Sequence, residues 1–202
     1  MYKKASIETP RLALYPSSDE HDLPEYKKHL TDADEFFMQF GVRMTDEVLE
    51  CIDFHSSGVL YYTAFSKESE KMIGYVGLLP YEGSNGVSEL EFHIFREYRN
   101  NGYCTEASEA LLRAYFDDFL MGKPGKKVVA ETMPENKATR RVLEKLGFER
   151  TAIGMTFSLA DDGKIDSGGC YSVESYELDA ETFRSSIAMK PEDSCFELPK
   201  AS

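Results

Sequence analysis

The chain has 202 residues, and 23 Lys and Arg against 36 Asp and Glu give a formal net charge of −13. A hydrophobic fraction of 42%, with 13 Phe and 12 Tyr, is enough for a packed core and excludes wholesale disorder. The acidity speaks against a nucleic-acid binder, and no apolar run approaches the ~20 residues that cross a bilayer.

The length fits one domain, here residues 1–179, with an appendage over 180–202. The opening MYKKASIETP has two lysines but no apolar stretch after them, so it does not read as a secretory signal, and a cytoplasmic protein is expected. Residues 11–16 (RLALYP) alternate apolar and polar, as a half-buried strand does. Ser17, Ser18 and Asp19 offer N-caps for a helix over 21–30, and Thr45 and Asp46 for a second over 46–55. Three strand-like runs come next, at 59–66, 72–81 and 87–95, separated by KESEK and EGSNG, which predicts an antiparallel meander. Asn85-Gly86 is a hairpin-turn dipeptide.

After residue 96 the period changes. Ala107, Ala110, Leu111, Leu112, Ala114 and Tyr115 give an apolar face to a helix over about 102–120, ended by Gly122, Pro124 and Gly125. Residues 127–133 read as a buried strand. Residues 136–146 form a helix with Ala138, Val142, Leu143 and Leu146 inward and Gly147 at its C′ position. Two last strands, 148–159 and 171–178, are joined through ADDGK. The order is α/β: a mixed, mostly antiparallel sheet of about seven strands flanked by helices, with helices packed on a partly parallel section between 87 and 159. Four cysteines (Cys51, Cys104, Cys170, Cys195) and four histidines (His21, His29, His55, His93) are dispersed, so neither a disulfide framework nor a metal site is expected.

Charge is unevenly spread. Residues 96–145 hold ten basic and eight acidic side chains, a balance of +2, against −15 for the remainder. Composition can fluctuate this far, or the segment meets an anion. The same segment contains a strand-to-helix junction, Arg99-Asn100-Asn101-Gly102-Tyr103-Cys104, where backbone N–H groups can converge on phosphate and Arg99 can add charge-assisted hydrogen bonds. No Gly-Lys-Ser/Thr comes after it, and GxGxxG is absent, so neither a P-loop nor a dinucleotide fold is indicated.

This junction resembles the acetyl-CoA pyrophosphate loop, Arg/Gln-x-x-Gly-x-Gly/Ala, of the GCN5-related N-acetyltransferase (GNAT) superfamily. Asn136-Lys-Ala-Thr139-Arg-Arg-Val-Leu-Glu-Lys-Leu-Gly147-Phe148 is similar to that superfamily's second cofactor motif. Glu8-Thr9-Pro10-Arg11-Leu12 and the run through Glu106 and Ala107 are similar to the RimJ/RimL-like branch. The similarity spans about residues 7–178 and implies a GNAT fold whose sheet splays between its fourth strand (87–95) and its fifth (127–133).

The resemblance implies acetyl-CoA as cosubstrate and no metal. It places the pyrophosphate on the amides of Asn100, Asn101, Gly102, Tyr103, Cys104 and Thr105, with Arg99 beside them. The pantetheine arm would lie along Phe92, His93 and Ile94 and meet the amide of Asn136. Lys137, Arg140 and Arg141 are further candidate phosphate contacts. Cys104 stands where Gly or Ala is usual and is read as packing rather than as a redox group. Glu89 matches a position that often holds the general base. It shares a strand face with Glu91 and His93, which otherwise reads as a solvated face. Many relatives carry a Tyr seven residues after the motif Asn; here that position is Leu143. Thr139 matches a Ser of the RimL-like branch and is a candidate donor to the CoA thiolate, or simply packs the first helical turn.

The acceptor implied is a primary amine, either a protein N-terminus or a small cationic amine. Aromatic Phe36, Phe37, Phe40, Phe54, Tyr61 and Tyr81 either line its pocket or belong to the core. A non-catalytic acyl-CoA-binding or sensor module on the same fold is the alternative reading. A homodimer suits this fold and is not legible from the sequence.

Overall fold

The computed structural model describes residues 7–32, 34, 36–37, 44–46, 50, 59–81, 86–117, 124–159 and 165–188. In chain order these form β1 (Ile7–Glu8), β2 (Leu12–Pro16), α1 (Leu23–Lys28), β3 (Leu60–Ser66), β4 (Met72–Pro80) and β5 (Val87–Ile94). A 3-10 turn over Arg96–Tyr98 leads to α2 (Tyr103–Phe116), β6 (Lys127–Thr132), α3 (Lys137–Leu146), β7 (Glu149–Leu159), β8 (Ile165–Asp179) and α4 (Ala180–Ala188). Among the described residues, eight strands make one sheet in the order β1-β2-β3-β4-β5-β6-β8-β7.

The predicted meander is present: β3, β4 and β5 pair antiparallel in succession. The sheet has eight strands rather than about seven because Ile7 and Glu8 fold back on β2. The turn between them is closed by Thr9, whose Oγ1 accepts from the Leu12 amide at 2.8 Å and whose own amide donates to the Leu12 carbonyl. The first helix is shorter than the predicted 21–30, starting with Pro24 in its first turn, where a missing N–H costs nothing. The helix predicted over 46–55 falls largely outside the described residues, as do Asn85, Cys51, His55, Cys195 and the ADDGK turn.

Among the described strands only one pair is parallel. β5 and β6 are in register for three residues, ending at Glu89 and Val129, while β5 continues to Ile94 along β4. Beyond Glu89 the two strands therefore part, and β6 no longer covers the second half of β5. This splay positions the site.

Two apolar layers hold the sheet. On one face α2 buries Ala107, Ala110, Leu111, Ala114 and Tyr115 against Val76, Leu78, Leu90 and Val128. On the other, Tyr26 of α1 packs with Phe36, Met72, Tyr75 and Phe95. The central strand β4 is covered on both sides, which explains its near-continuous apolar run. Beyond residue 179, α4 docks Phe183 against Phe116 at 5.3 Å between ring centroids. α3 is stopped by Gly147 at φ +90. It is fastened to the β7–β8 hairpin by Glu174, which is 4% exposed and pairs with Arg140 of α3 and Arg150 of β7. Burial raises the Glu174 carboxyl, but hydrogen bonds from Tyr176 and Arg150 and the charges of both arginines prevail and hold it below the ordinary range. No described helix is long and apolar enough to cross a membrane.

Candidate functional site

The parting of β5 and β6 opens a cavity of about 510 Å³ between β5, the 99–105 turn and α3. Its walls include Phe92, His93 and Ile94 from β5, then Arg99, Asn100, Gly102, Tyr103, Cys104 and Thr105, with Asn136 opposite. Arg141 and Lys145 of α3 add positive charge at the rim. The backbone explains why this turn suits an anion. Asn100 and Gly102 both have left-handed backbone, φ +63 and +79, and α2 starts at Gly102 without a side-chain cap. The first amides of α2 therefore point outward from the positive end of a fourteen-residue helix.

Asn101 is set differently. Its side chain donates to the carbonyls of Tyr98 and Arg99, both at 3.1 Å, and it does not line the cavity. Its own carbonyl accepts from Arg11 Nη1 at 2.8 Å. Arg11 also pairs with Glu106 at 2.6 Å and lies over the Tyr103 ring, 4.7 Å from its centroid. Thr9 Oγ1 donates to the same Glu106 carboxylate. The β1–β2 turn thus braces the 99–105 turn from behind, a role the Thr9–Arg11 stretch did not announce in the sequence. Cys104 packs inward: burial pushes its thiol up to about 12, only partly offset by Ser108 and Arg99, the reverse of a reactive thiolate. Arg140 faces Glu174 instead of the cavity, and Lys137 is not among the lining residues.

A second cavity, of about 260 Å³, adjoins the first and shares Phe92, Asn136 and Thr139 with it. It is lined by Glu89 and Glu91 of β5, Glu131 of β6, Thr156 of β7, and Tyr171 and Val173 of β8. Burial, then the charges of Glu91 and Glu131, push the Glu89 carboxyl from its ordinary 4.5 to about 7. Burial also raises Glu91, against a lowering hydrogen bond from Tyr61. That bond, 2.7 Å from Tyr61 Oη to Glu91 Oε2, spans a strand: Tyr61, Gly77 and Glu91 lie in one cross-strand row. Only glycine permits it, because a Cβ at Gly77 would overlap the Tyr61 ring. Asn136 caps α3, its Oδ1 accepting from the Thr139 amide at 3.1 Å, and so fixes Thr139 at the junction of the cavities.

The structure therefore gathers Glu89, Thr139 and the 99–105 turn around two joined cavities, with Asn101 held at the back of the turn. Of the aromatic residues considered for an acceptor pocket, Phe36 is core at 2% exposed and Phe37 stacks edge-on against Tyr171. Tyr81 is exposed, and Phe40 and Phe54 fall outside the described residues. Glu131, Tyr171 and Gly77 were not singled out from the sequence. An isolated glycine inside an apolar strand was the one available signal of a close approach there.

Comparisons with known proteins agree with this architecture. Residues 11–149, more than half of the chain, match the family described as acetyltransferase (GNAT) domain. Over 153 residues the chain is 27% identical to the uncharacterized protein YkkB of Bacillus subtilis (strain 168), covering 73% of this chain and 87% of YkkB. The crystal structure of a GCN5-related N-acetyltransferase from Brucella melitensis superposes with a TM-score of 0.69 at 19% identity, over 95% of this chain and 89% of that one. A ribosomal-protein-S5-alanine acetyltransferase from Vibrio fischeri does so with a TM-score of 0.65 at 13% identity, over 93% of this chain and 100% of the other. At these identities the two structures speak for the fold alone. On the family match, the chain belongs to the GNAT family of acetyl-CoA-dependent N-acetyltransferases.

Proposed function

We propose that this chain binds acetyl-CoA in the larger cavity and transfers the acetyl group to a primary amine presented in the smaller one. The observation that carries the reading is the junction: a helix start without a side-chain cap and an ionisable carboxyl with a pKa near neutrality open onto cavities that share Phe92, Asn136 and Thr139.

The amides of the 100–105 turn, with Arg99, Arg141 and Lys145, supply donors and positive charge for the diphosphate. The edge of β5 at Phe92–Ile94, which β6 no longer covers, offers backbone groups to the pantetheine amides, and Asn136 faces both cavities while its Oδ1 caps α3. An incoming ammonium must first lose a proton, and Glu89 takes it. A carboxylate titrating near 7 is a far better base for an amine than one titrating near 4.5. The freed amine nitrogen attacks the thioester carbonyl, and the C–S bond breaks with the Thr139 hydroxyl donating a hydrogen bond to the departing sulfur. The extra proton on the new amide nitrogen passes to that thiolate, so that the products are the acetamide and free CoA thiol. Holding both reactants in adjoining cavities supplies much of the rate enhancement. Glu91 and Glu131 favour a cationic acceptor, either a protein N-terminus or a small cationic amine.

The test is direct. Protein, acetyl-CoA and a panel of amines are mixed, with free thiol followed over time and thermal stability measured with CoA alone. CoA-dependent stabilisation together with amine-dependent thiol release is expected. Stabilisation without turnover on any amine would replace the transferase by an acyl-CoA-binding module, and no stabilisation would remove the cofactor site.

A further inference from the structure

His93 lines the larger cavity but is 5% exposed and already occupied at both ring nitrogens. Its Nε2 lies 3.1 Å from Arg99 Nη2, and its Nδ1 lies 3.0 Å from Tyr26 Oη. A guanidinium has only donors to give, so Nε2 must be the acceptor and the ring proton must sit on Nδ1, donating to the Tyr26 hydroxyl. The imidazole is therefore neutral in this arrangement, with one tautomer. It also cannot tilt freely: Tyr26, Tyr75 and Phe95 all meet it edge-on, with centroids 5.5, 6.4 and 6.1 Å away. Tyr26 itself is fully buried and packs edge-on against Tyr75 at 5.0 Å.

Arg99 is held from two sides. Its Nε donates to the Ile94 carbonyl at 2.8 Å while Nη2 donates to His93, and the guanidinium borders the cavity at the start of the anion loop. A long side chain left to itself loses rotamer freedom when it meets a phosphate; one already held loses less.

We propose that His93 is a positioning residue for CoA binding: through the line Tyr26–His93–Arg99 it presents the Arg99 guanidinium to the phosphates, and takes no part as a base or as a direct ligand through its ring. The inference rests on the reading of the larger cavity as the CoA site. It also means that α1, which packs on the sheet face opposite α2, and the 99–105 turn are joined through one buried ring.

The probe is CoA itself, with Kd measured by calorimetry on the full chain. A hydrogen bond made by a charged group is strong enough that its loss costs about tenfold in affinity, so His93→Leu is expected to raise Kd about tenfold. His93→Gln, which keeps an acceptor for Arg99, is expected to recover most of that loss. In an Arg99→Ala background, His93→Leu is expected to change Kd by less than about twofold, because the group it positions is gone. A merely structural role would weaken binding equally in both backgrounds, and that result overturns the proposal. So does an unchanged Kd in folded His93→Leu. Should His93→Leu fail to fold, Tyr26→Phe, which removes the hydroxyl that holds the ring at Nδ1, is run in both backgrounds with the same criterion. Imidazole nitrogen NMR of the free protein gives a second check, since a proton on Nε2 contradicts the geometry. Failure of the wild type to bind CoA would instead overturn the function proposed above.

Discussion

Replacing Glu89 by Gln should stabilise the protein at pH 8 while removing transferase activity. In the folded chain the carboxyl titrates at about 7, against an ordinary 4.5 that the unfolded chain approaches. Between those values the folded state keeps a proton that the unfolded state has released, so stability falls as pH rises through the window. Above 7 both states are ionised, and the full cost of holding a charge beside Glu91 and Glu131 is present. At about 1.36 kcal/mol per pH unit the difference sets a ceiling of about 3.4 kcal/mol. Glu89 is only partly buried, and solvent screening reduces this to about 1–2 kcal/mol. For a chain of this size that is about 3–6 °C in Tm. Gln keeps the shape and never ionises, so Glu89→Gln should melt about 3–6 °C above the wild type at pH 8. The gap should close as pH falls toward 4.5. Thermal melts across pH 4.5–8.5 need no acceptor and read the effect directly. In parallel, loss of a general base should lower kcat by about 10²–10⁴-fold. Two parallel Tm curves, with no convergence at acid pH, would refute the raised carboxyl and with it the poised base.

Thr139→Ala should lower kcat about tenfold with CoA affinity little changed, since the cap of α3 uses the Thr139 amide and not its hydroxyl; an unchanged kcat removes the hydroxyl from the mechanism. Arg11→Ala takes away the Glu106 pair and the hydrogen bond to the Asn101 carbonyl, both partly exposed. It should cost about 1 kcal/mol of stability and raise the CoA Kd severalfold, and a calorimetric Kd equal to wild type would show that the loop keeps its shape unaided. Gly77→Ala should drive the Tyr61 ring off its row, costing about 1–3 kcal/mol in denaturant melts. It should also raise the pKa of Glu91 by removing the hydrogen bond that lowers it, which side-chain carboxyl NMR would report.

The lining of the larger cavity was legible because its determinants are local. A strand, a turn with Gly102 and a long amphipathic helix succeed one another within residues 87–116, and the amides that face the cavity belong to that same stretch. Asn136 and Thr139 were legible for the same reason, standing at the start of one short helix. What local reading missed there was support from a distance. Arg11 reaches Asn101 across ninety residues, and Arg140, basic and adjacent to Arg141 in sequence, turns to the buried Glu174 instead of the cavity.

The lining of the smaller cavity was not legible, and the reason lies in how sheets assemble side chains. Glu89 and Glu91 are near in sequence, but Glu131, Thr156 and Tyr171 reach the same cavity from β6, β7 and β8, in an order set by strand pairing. Period-2 alternation says which face a residue takes; it does not say which residue of another strand will stand opposite. The row Tyr61–Gly77–Glu91 is a case of this. Each member has an ordinary local reading: an aromatic in a strand, a glycine in an apolar run, an acid on a polar face. Only the registers of β3 on β4 and of β4 on β5 bring the three together, and Glu91 then acts electrostatically on Glu89, two residues away on its own strand. A substitution two strands away, at Tyr61, should therefore alter the charge state of the carboxyl beside the candidate base without touching either reactant.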